Sequence, residues 1–330
     1  MLQAPQALAA LLNFGRMTYT NEKDQHARRL QAHGALILMV IIWAVNFSVA
    51  KLALRQVTPL AFNALRFPLA GLALYVLLRR QGPIALPQPG DRLRVFLLGL
   101  LGNVVYQQCF IFGLDYTHAG TASVLLAGTP LLTALLSAYV GHERVSARVL
   151  VGVMCTVVGI GLVVWFQPLQ AGEGKTTLLG PALMLGASIS WAIYTVGARG
   201  LVQRYGALPV TAWTLWVGAV LIPLVGLPSV ARTDLGSLSF LMWIAIVYAG
   251  VLSIGAAYLI WYTGVAVLGN TRTSTYSNLV PVLTLIVAWA WLGEVPHPGQ
   301  LAGAAVIIGG VTLAQWQGAR TQTESAQVQS

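Results

Sequence analysis

Ten mainly apolar runs, each long enough to cross a membrane, constrain the fold of this chain more than any other feature of its sequence. The runs cover residues 34–54, 59–78, 94–113, 119–140, 146–166, 178–199, 208–228, 239–265, 271–291 and 299–317. A helix of about 20 apolar residues spans the hydrocarbon core of a bilayer, and a backbone in lipid is satisfied only in helices or closed barrels. The sequence therefore predicts an all-α integral membrane protein with ten transmembrane helices, numbered here helix 1 to helix 10.

The composition agrees with a lipid environment, and the short loops leave no room for a soluble catalytic domain. Hydrophobic residues make up 57% and charged residues 8% of the 330 residues, whereas about 25% of the residues of soluble domains are charged. Residues 1–32 are polar and basic, and we expect them to form a cytoplasmic N-terminal extension. Residues 318–330 are rich in Gln, Thr and Ser, and we expect a disordered cytoplasmic tail there.

The formal net charge of +10 follows from the expected topology. With the N-terminus inside, 14 of the 19 Lys and Arg residues fall in inner segments, four in outer segments and one, Arg66, within a helix. Because cytoplasmic loops retain Lys and Arg, both termini are predicted to be cytoplasmic, and the charge requires no nucleic-acid partner. The sequon Asn46-Phe47-Ser48 lies inside helix 1, and nothing else indicates an exported protein, so we expect a bacterial inner (cytoplasmic) membrane.

The chain contains an internal repeat. Residues 118–161 recur as residues 269–312 at an offset of 151, and a shorter echo relates Trp43-Ala44 to Trp191-Ala192 at an offset of 148. The matched pairs include Ser123 and Ser274, Pro130 and Pro281, Thr133 and Thr284, Glu143 and Glu294, Gly152 and Gly303, and Gly159 and Gly310. The repeat predicts two five-helix units, residues 33–166 and 178–317.

The odd number of helices in each unit determines how the two units are related. After five crossings the chain enters the second unit from the opposite side of the membrane, so the units are predicted to be inverted repeats. Inverted repeats place a substrate site near the middle of the bilayer, at the seam between the halves, and expose it alternately to the two sides. The pattern therefore predicts an alternating-access transporter for a small molecule.

Short motifs at matching places in the two units resemble those of a known family. They are Ala64-Leu65-Arg66-Phe67, Thr129-Pro130-Leu131-Leu132, Gly141-His142-Glu143-Arg144, Val280-Pro281-Val282-Leu283 and Gly293-Glu294. With ten helices in two five-helix units, the chain resembles the EamA-type branch of the drug/metabolite transporter superfamily over about residues 33–317. The resemblance implies a transporter, and it leaves the cargo open: characterised relatives include exporters of amino acids and importers or exchangers of sugars and nucleotide sugars.

Arg66 is the charged residue placed deepest in a predicted helix. It lies seven residues into helix 2, roughly 10 Å from the start of that helix. Ionisable side chains at such depth face a partner or a wet cavity, and we expect Arg66 to bind an anionic group of the substrate, such as a carboxylate. The alternative is that Arg66 extends to the surface or binds backbone carbonyls of a neighbouring helix. The corresponding part of helix 7 reads Thr211-Ala212-Trp213-Thr214 and has no such charge.

Other polar and aromatic side chains within the helices could line the same cavity. The candidate substrate-binding residues are Asn46, Asn63, Arg66, Tyr106, Gln107, Gln108, Trp191, Tyr194, Tyr258, Tyr276 and Asn278. Amides in lipid are costly, so several must point inward. For any single residue the alternative is a hydrogen bond between helices or packing in the core. Together the set suits a small zwitterionic or amphipathic solute better than a polyphosphate.

Repeated prolines, glutamates and glycines indicate how the two units move and pack. Pro130 and Pro281 are candidate hinges of helices 4 and 9, because each removes a helix hydrogen bond; the alternative is a static kink. Glu143 and Glu294 are expected to bind loop amides or the N-terminus of the following helix. The repeated glycines are expected to let helices 5 and 10 pack closely.

The acidic residues constrain the mechanism. All nine lie outside the apolar runs or at their ends, so we expect no intramembrane proton relay and favour facilitated diffusion or exchange. The sequence shows no clustered ligands for a metal and no sign of a cofactor, and we expect no enzymatic activity. We predict an exporter or exchanger of an amino acid or related solute. The alternatives are a sugar or nucleotide-derivative importer, a passive channel and a membrane-embedded enzyme; the oligomeric state stays open.

Overall fold

The computed structural model describes residues 22–140, 147–166, 178–268, 273 and 276–327, with the side chains of 22–28, 149, 265–266 and 314–327 left out. All regular structure in these ranges is helical. The first half contains α1 (Glu22–Ala53), α2 (Pro59–Arg80), α3 (Pro89–Asp115), α4 (Ala119–Tyr139) and α5 (Ala147–Trp165). The second half contains α6 (Leu179–Tyr205), α7 (Ala207–Ala231), α8 (Phe240–Val247, Tyr248–Ala256 and Ala257–Leu268), α9 (Leu279–Leu292) and α10 (Pro298–Gln327).

The lengths and apolar character of these helices fit a membrane protein. Seven described helices are long and apolar enough to span a bilayer: α1, α2, α3, α4, α6, α7 and α8. Three further helices have shorter apolar segments, Leu150–Trp165, Leu279–Leu292 and Pro298–Leu313. Each helix overlaps one of the ten apolar runs in the sequence. The all-helical membrane fold is thus established, and ten crossings stay a prediction.

The first and last helices extend into the two polar flanks of the chain. α1 begins at Glu22, so the last part of the predicted N-terminal extension continues directly into the first helix. α10 continues to Gln327 and so covers most of the segment expected to form the cytoplasmic tail, whose disorder stays a prediction. Residues 318–327 contain no proline and include Ala, Arg, Gln and Glu, which favour continuation of a helix. Residues 1–21 and 328–330 lie outside the described ranges.

Local signals explain several helix boundaries. The hydroxyl of Thr58 accepts a hydrogen bond from the amide of Ala61 at 3.3 Å and caps α2, whose first residue is a proline. Ser239 caps α8 in the same way, accepting from the amide of Met242 at 3.2 Å. Gly293 ends α9 with a positive φ of 69°, a conformation that glycine adopts without a steric penalty.

The helices pack in two related groups. α1 packs against α8 and α9, whereas α6 packs against α3 and α4. The two sets of contacts correspond through the repeat, in which α1 matches α6, α3 matches α8 and α4 matches α9. We call α1, α8 and α9 the α1 group, and α3, α4 and α6 the α6 group; each contains helices from both repeats. The pairs α2–α7 and α5–α10 pack against each other and connect the groups.

Glycines bring α5 and α10 into close contact, as the sequence predicts. A β-carbon built on Gly159 would lie 2.7 Å from the carbonyl oxygen of Gly303, and one built on Gly303 would lie 2.8 Å from the carbonyl oxygen of Gly159. Each helix backbone therefore occupies the space that a side chain on the other would need.

The two repeated prolines lie at interruptions of their helices. In α4 the helix Ala119–Leu126 ends before Pro130, which occupies the first turn of the following helix, Thr129–Tyr139. The carbonyl of Leu126 accepts a hydrogen bond from the hydroxyl of Thr129 at 2.6 Å. Pro281 likewise lies in the first turn of α9. Both prolines therefore follow a break, where a missing amide costs little, and their role as hinges stays a prediction.

Two wide helical turns occur at corresponding places in α3 and α8. Leu100–Val105 in α3 and Tyr248–Ala256 in α8 are π-helical. The two segments overlap when the chain is shifted by the repeat offset of 151. Such segments are rare in proteins and occur frequently at functional sites, because they rotate the residues that follow.

Candidate functional site

Arg66 lies on α2 and is enclosed by the protein, with 1% of its surface exposed. Its Nε donates a hydrogen bond to Oδ1 of Asn63 at 2.9 Å, and its Nη2 donates to Oε1 of Gln107 on α3 at 2.9 Å. Its guanidinium carbon lies 4.8 Å from the ring centre of Phe62. Arg66 thus does not extend to the surface, and the partners that the described residues offer it are side-chain amides rather than backbone carbonyls.

The amide side chains around Arg66 connect three helices. Asn63 Nδ2 on α2 donates to the backbone oxygen of Gln107 and to Oε1 of Gln108, each at 3.2 Å. Gln107 Nε2 on α3 donates to the hydroxyl of Tyr258 on α8, also at 3.2 Å. We call Asn63, Arg66, Gln107, Gln108 and Tyr258 the Arg66 network. It joins α2 to one helix of the α6 group and one helix of the α1 group.

Among the residues that the structure describes, no carboxylate forms an ion pair with Arg66, and its hydrogen-bond partners are the neutral side chains of Asn63 and Gln107. A guanidinium has five N–H donors, and the contacts to Asn63 and Gln107 use two of them. No described residue accepts a hydrogen bond from Nη1. A buried charge without a counter-ion is unfavourable, so this position is suited to receive a carboxylate or another small anion.

Aromatic rings lie beside the Arg66 network. The ring centre of Tyr258 is 5.3 Å from that of Trp191 and 6.3 Å from that of Trp43, and Trp191 is 4.9 Å from Tyr106. Trp43 is in turn 5.6 Å from Trp261. We call these five residues the ring cluster. It contains rings from both helix groups and shares Tyr258 with the network, so an aromatic and apolar surface adjoins the buried charge.

The two π-helical segments immediately precede the site residues on their helices. Tyr106 and Gln107 follow the segment in α3 that ends at Val105, and Tyr258 follows the segment in α8 that ends at Ala256. In addition, the indole nitrogen of Trp43 donates to the carbonyl oxygen of Ser253 at 3.0 Å, within the second segment. The wide turns therefore help to set the direction in which the site side chains point.

Two further sequence-predicted residues border this region. The ring of Tyr194 lies 5.5 Å from that of Trp191, while its hydroxyl shares a hydrogen bond of 3.0 Å with Thr214 on α7. Asn46 is 5% exposed and lies one turn beyond Trp43 on α1; its Oδ1 has no hydrogen-bond partner among the described residues. Tyr194 thus extends the ring cluster toward α7, and Asn46 is buried outside the Arg66 network.

The remaining two predicted residues lie elsewhere. The hydroxyl of Tyr276 forms a hydrogen bond with Nδ1 of His33, near the start of α1. Asn278 Nδ2 donates to the hydroxyl of Thr312 on α10 at 3.4 Å. Both contacts lie toward one end of the helix bundle, and neither residue joins the Arg66 network or the ring cluster.

Trp43 is a site candidate that the sequence-based set omitted. The signal was present, since Trp43-Ala44 repeats as Trp191-Ala192, and Trp191 was selected. In the structure the two tryptophans approach the same Tyr258 ring from α1 and α6. Repeated residues that meet at a seam are stronger candidates than either residue alone.

Comparison with known proteins gives the family. Residues 31–165 and 178–316 each match the model of the EamA-like transporter family. The chain belongs to this family. It is therefore a multi-pass membrane transporter, and the resemblance seen in the motifs is confirmed. The two matched segments lie within the two predicted repeat units, apart from two residues at the start of the first.

The relatives support the same conclusion and differ in how much their names specify. The chain is 26% identical over 288 residues to the uncharacterised transporter YyaM of Bacillus subtilis, covering 87% of this chain and 94% of YyaM. It is 29% identical over 282 residues to a probable terminal-alkyne amino-acid exporter of Streptantibioticus cattleyicolor, covering 84% of this chain and 91% of the exporter. A protein of known crystal structure shares the fold, with a TM-score of 0.62, 18% identity and coverage of 87% of this chain and 97% of its own.

Proposed function

We propose that this EamA-family transporter exports or exchanges a small organic metabolite that bears a carboxylate, most closely an amino acid or related amphipathic solute. The observation that carries the proposal is the buried Arg66, which has unused donors and no acidic partner among the described residues. A carboxylate would supply the missing counter-charge and could bind the guanidinium through two parallel hydrogen bonds. The relative named as a probable amino-acid exporter supports this substrate class.

The ring cluster would bind the rest of the substrate, its side chain and its ammonium group. Its faces offer apolar contact and stacking for a side chain, and they attract an ammonium group through the ring quadrupole. Arg66 and the rings lie side by side, as a zwitterion with an apolar substituent requires. A polyphosphate would need several cations at the site, and Arg66 is the one cation in the Arg66 network.

Alternating access is the transport mechanism that we infer for this site. The Arg66 network receives Gln107 from the α6 group and Tyr258 from the α1 group. Relative motion of the two groups would therefore open and close the site, as expected of two inverted repeats in the cytoplasmic membrane with both termini inside. Because no carboxylate joins the described network, we propose movement along the substrate gradient without a dedicated proton carrier.

Transport by the purified full-length protein in liposomes tests this proposal. We expect uptake of labelled amino acids in counterflow, equally with and without a pH gradient. Uptake of sugars or nucleosides instead of amino acids would favour the importer or exchanger of sugar or nucleotide derivatives. Strict dependence on a proton gradient would exclude the uncoupled mechanism, and conversion of a substrate to a new compound would indicate an enzyme.

A further inference from the structure

The connection between α3 and α4 is held by a lysine from α1. Lys51 Nζ donates to the backbone oxygens of Leu114, Asp115 and Thr117 at 2.9, 3.0 and 2.7 Å. Leu114 and Asp115 are the last residues of α3 and Thr117 follows them, so the lysine lies at the negative end of the helix dipole, where carbonyls fall outside the regular hydrogen-bond pattern of the helix. A lysine ammonium has three N–H donors, so one side chain engages three carbonyls of the connection.

A glutamate from the segment after α9 holds the other end of the same connection. Glu294 accepts hydrogen bonds from the amides of Ala119 and Gly120, the first residues of α4, at 3.1 and 3.2 Å. Nδ1 of His118 lies 3.4 Å from its carboxylate. Burial raises the pKa of the Glu294 carboxyl, but the hydrogen bonds from His118 and from the two amides together lower it by more than burial raises it. The pKa of Glu294 therefore falls below its ordinary value. The sequence predicted that Glu294 binds loop amides or the N-terminus of the following helix, α10. In the structure it binds the N-terminus of α4, a helix of the other repeat.

The two contacts have complementary signs and connect the two helix groups. The positive Lys51 of α1 meets the negative end of α3, and the negative Glu294, next to α9, meets the positive end of α4. The two charged side chains lie on or next to helices of the α1 group, and the backbone groups that they bind belong to helices of the α6 group or to the connection between them. A third contact, from Gln300 Nε2 on α10 to the hydroxyl of Thr121 at 3.1 Å, lies beside them.

Polar contacts at the opposite end of the bundle follow a different pattern. Asp91 of α3 binds Arg204 of α6 at 2.7 Å and accepts a hydrogen bond from the hydroxyl of Tyr205 at 2.6 Å. Arg94 of α3 donates to the carbonyl of Gly197 on α6 at 2.7 Å. In the ranges that the structure covers, these contacts stay within the α6 group. Among the described residues, the ion-pair and helix-end contacts between the two groups that involve charged side chains are those of Lys51 and Glu294.

We propose that Lys51 and Glu294 form a latch: by binding the connection between α3 and α4, they close the end of the transporter at which that connection lies. Release of both contacts lets the α1 group and the α6 group separate there and opens a path to the Arg66 network. The latch rests on the proposed alternating access, and it identifies two gating residues that lie outside the substrate site.

The test measures access to the site and needs no substrate. In a full-length protein with Cys109→Ser and Cys155→Ser, Gln108→Cys places a single thiol two turns below the end of α3. A charged, membrane-impermeant maleimide is added to one side of sealed vesicles at a time, and the alkylation rate is measured. The rate is compared in proteins with Lys51→Met, Glu294→Gln or both. The control is Arg55→Met, which removes an exposed cation one turn beyond Lys51.

The latch predicts a faster alkylation rate from one side only. Loss of one hydrogen bond to a charged group corresponds to about a 10- to 100-fold change, so we expect an increase of about that size in each single variant and a larger increase in the double variant. Arg55→Met should react like the parent. An unchanged rate in a folded double variant, or an equal increase from both sides, would overturn the proposal. If Glu294→Gln fails to fold, Glu294→Asp takes its place. Because alkylation is independent of the cargo, this outcome is separate from that of the transport assay.

Discussion

Replacement of Arg66 by glutamine should abolish the preference for carboxylates that we propose for the transporter. Of five N–H donors on the guanidinium, two bind Asn63 and Gln107, which leaves three, enough for a bidentate contact with a carboxylate. Hydrogen bonds to charged groups contribute about 1.5–3 kcal/mol each. Two bonds at the lower end of that range give about 3 kcal/mol, which corresponds to roughly a 100- to 200-fold loss of affinity.

The assay compares two ligands in two proteins. For the parent and for Arg66→Gln, calorimetry measures binding of an amino acid that is taken up in the liposome assay and binding of the carboxamide of that amino acid. We expect the large loss for the amino acid and little change for the carboxamide, because the cycle isolates the contact between Arg66 and the carboxylate. Arg66→Lys keeps a charge but loses the planar fork of the guanidinium, so its affinity for the amino acid should lie between that of the parent and that of Arg66→Gln.

Two controls separate binding from folding. Arg80→Gln removes a cation at the exposed end of the same helix and should leave both affinities unchanged. Thermal unfolding of Arg66→Gln reports the cost of leaving Asn63 and Gln107 without their donor, about 1–3 kcal/mol for each unsatisfied group. Equal losses of affinity for the amino acid and the carboxamide would refute the reasoning, because Arg66 would then only organise the network.

Three further predictions test other parts of the molecule. Trp43→Ala should weaken binding of substrates with apolar or aromatic side chains about tenfold in the calorimetric assay, with Trp43→Phe close to the parent, because the ring belongs to the proposed substrate site; equal binding by Trp43→Ala and the parent would place Trp43 outside that site. Gly159→Leu should lower the thermal unfolding temperature by forcing α5 and α10 apart, whereas Gly161→Leu, with open space around its β-carbon, should not; similar temperatures for both would contradict the close packing. Because the folded-state pKa of Glu294 is lowered, its contact stabilises the protein above the ordinary glutamate pKa of about 4.3 and is lost as the pH falls through the folded-state value. The difference in unfolding temperature between the parent and Glu294→Gln should therefore be largest near neutral pH and shrink in acid, and a difference that grows in acid would contradict the lowered pKa.

Much of the candidate site could be read from the sequence, because polar side chains within apolar runs are few. Asn63, Arg66, Gln107, Gln108 and Tyr258 were each selected on that basis, and the structure brings them into one network. Tyr276 and Asn278 met the same criterion but contact His33 and Thr312. A run of apolar residues defines depth only approximately, and it does not define which neighbour a side chain faces. The π-helical segments add to this uncertainty, since they rotate Tyr106 and Tyr258 away from the direction that a regular helix would give.

The sequence by itself determined the membrane fold and the family and predicted the two repeat units, because these depend on the length of apolar runs and on residues repeated along the chain. Only the tertiary structure decided which helices pair across the repeats and which charges meet helix ends. Glu294 lies 175 residues from the amide of Ala119 that it binds. Such contacts depend on how the helices pack in three dimensions, and no local pattern of residues encodes that arrangement.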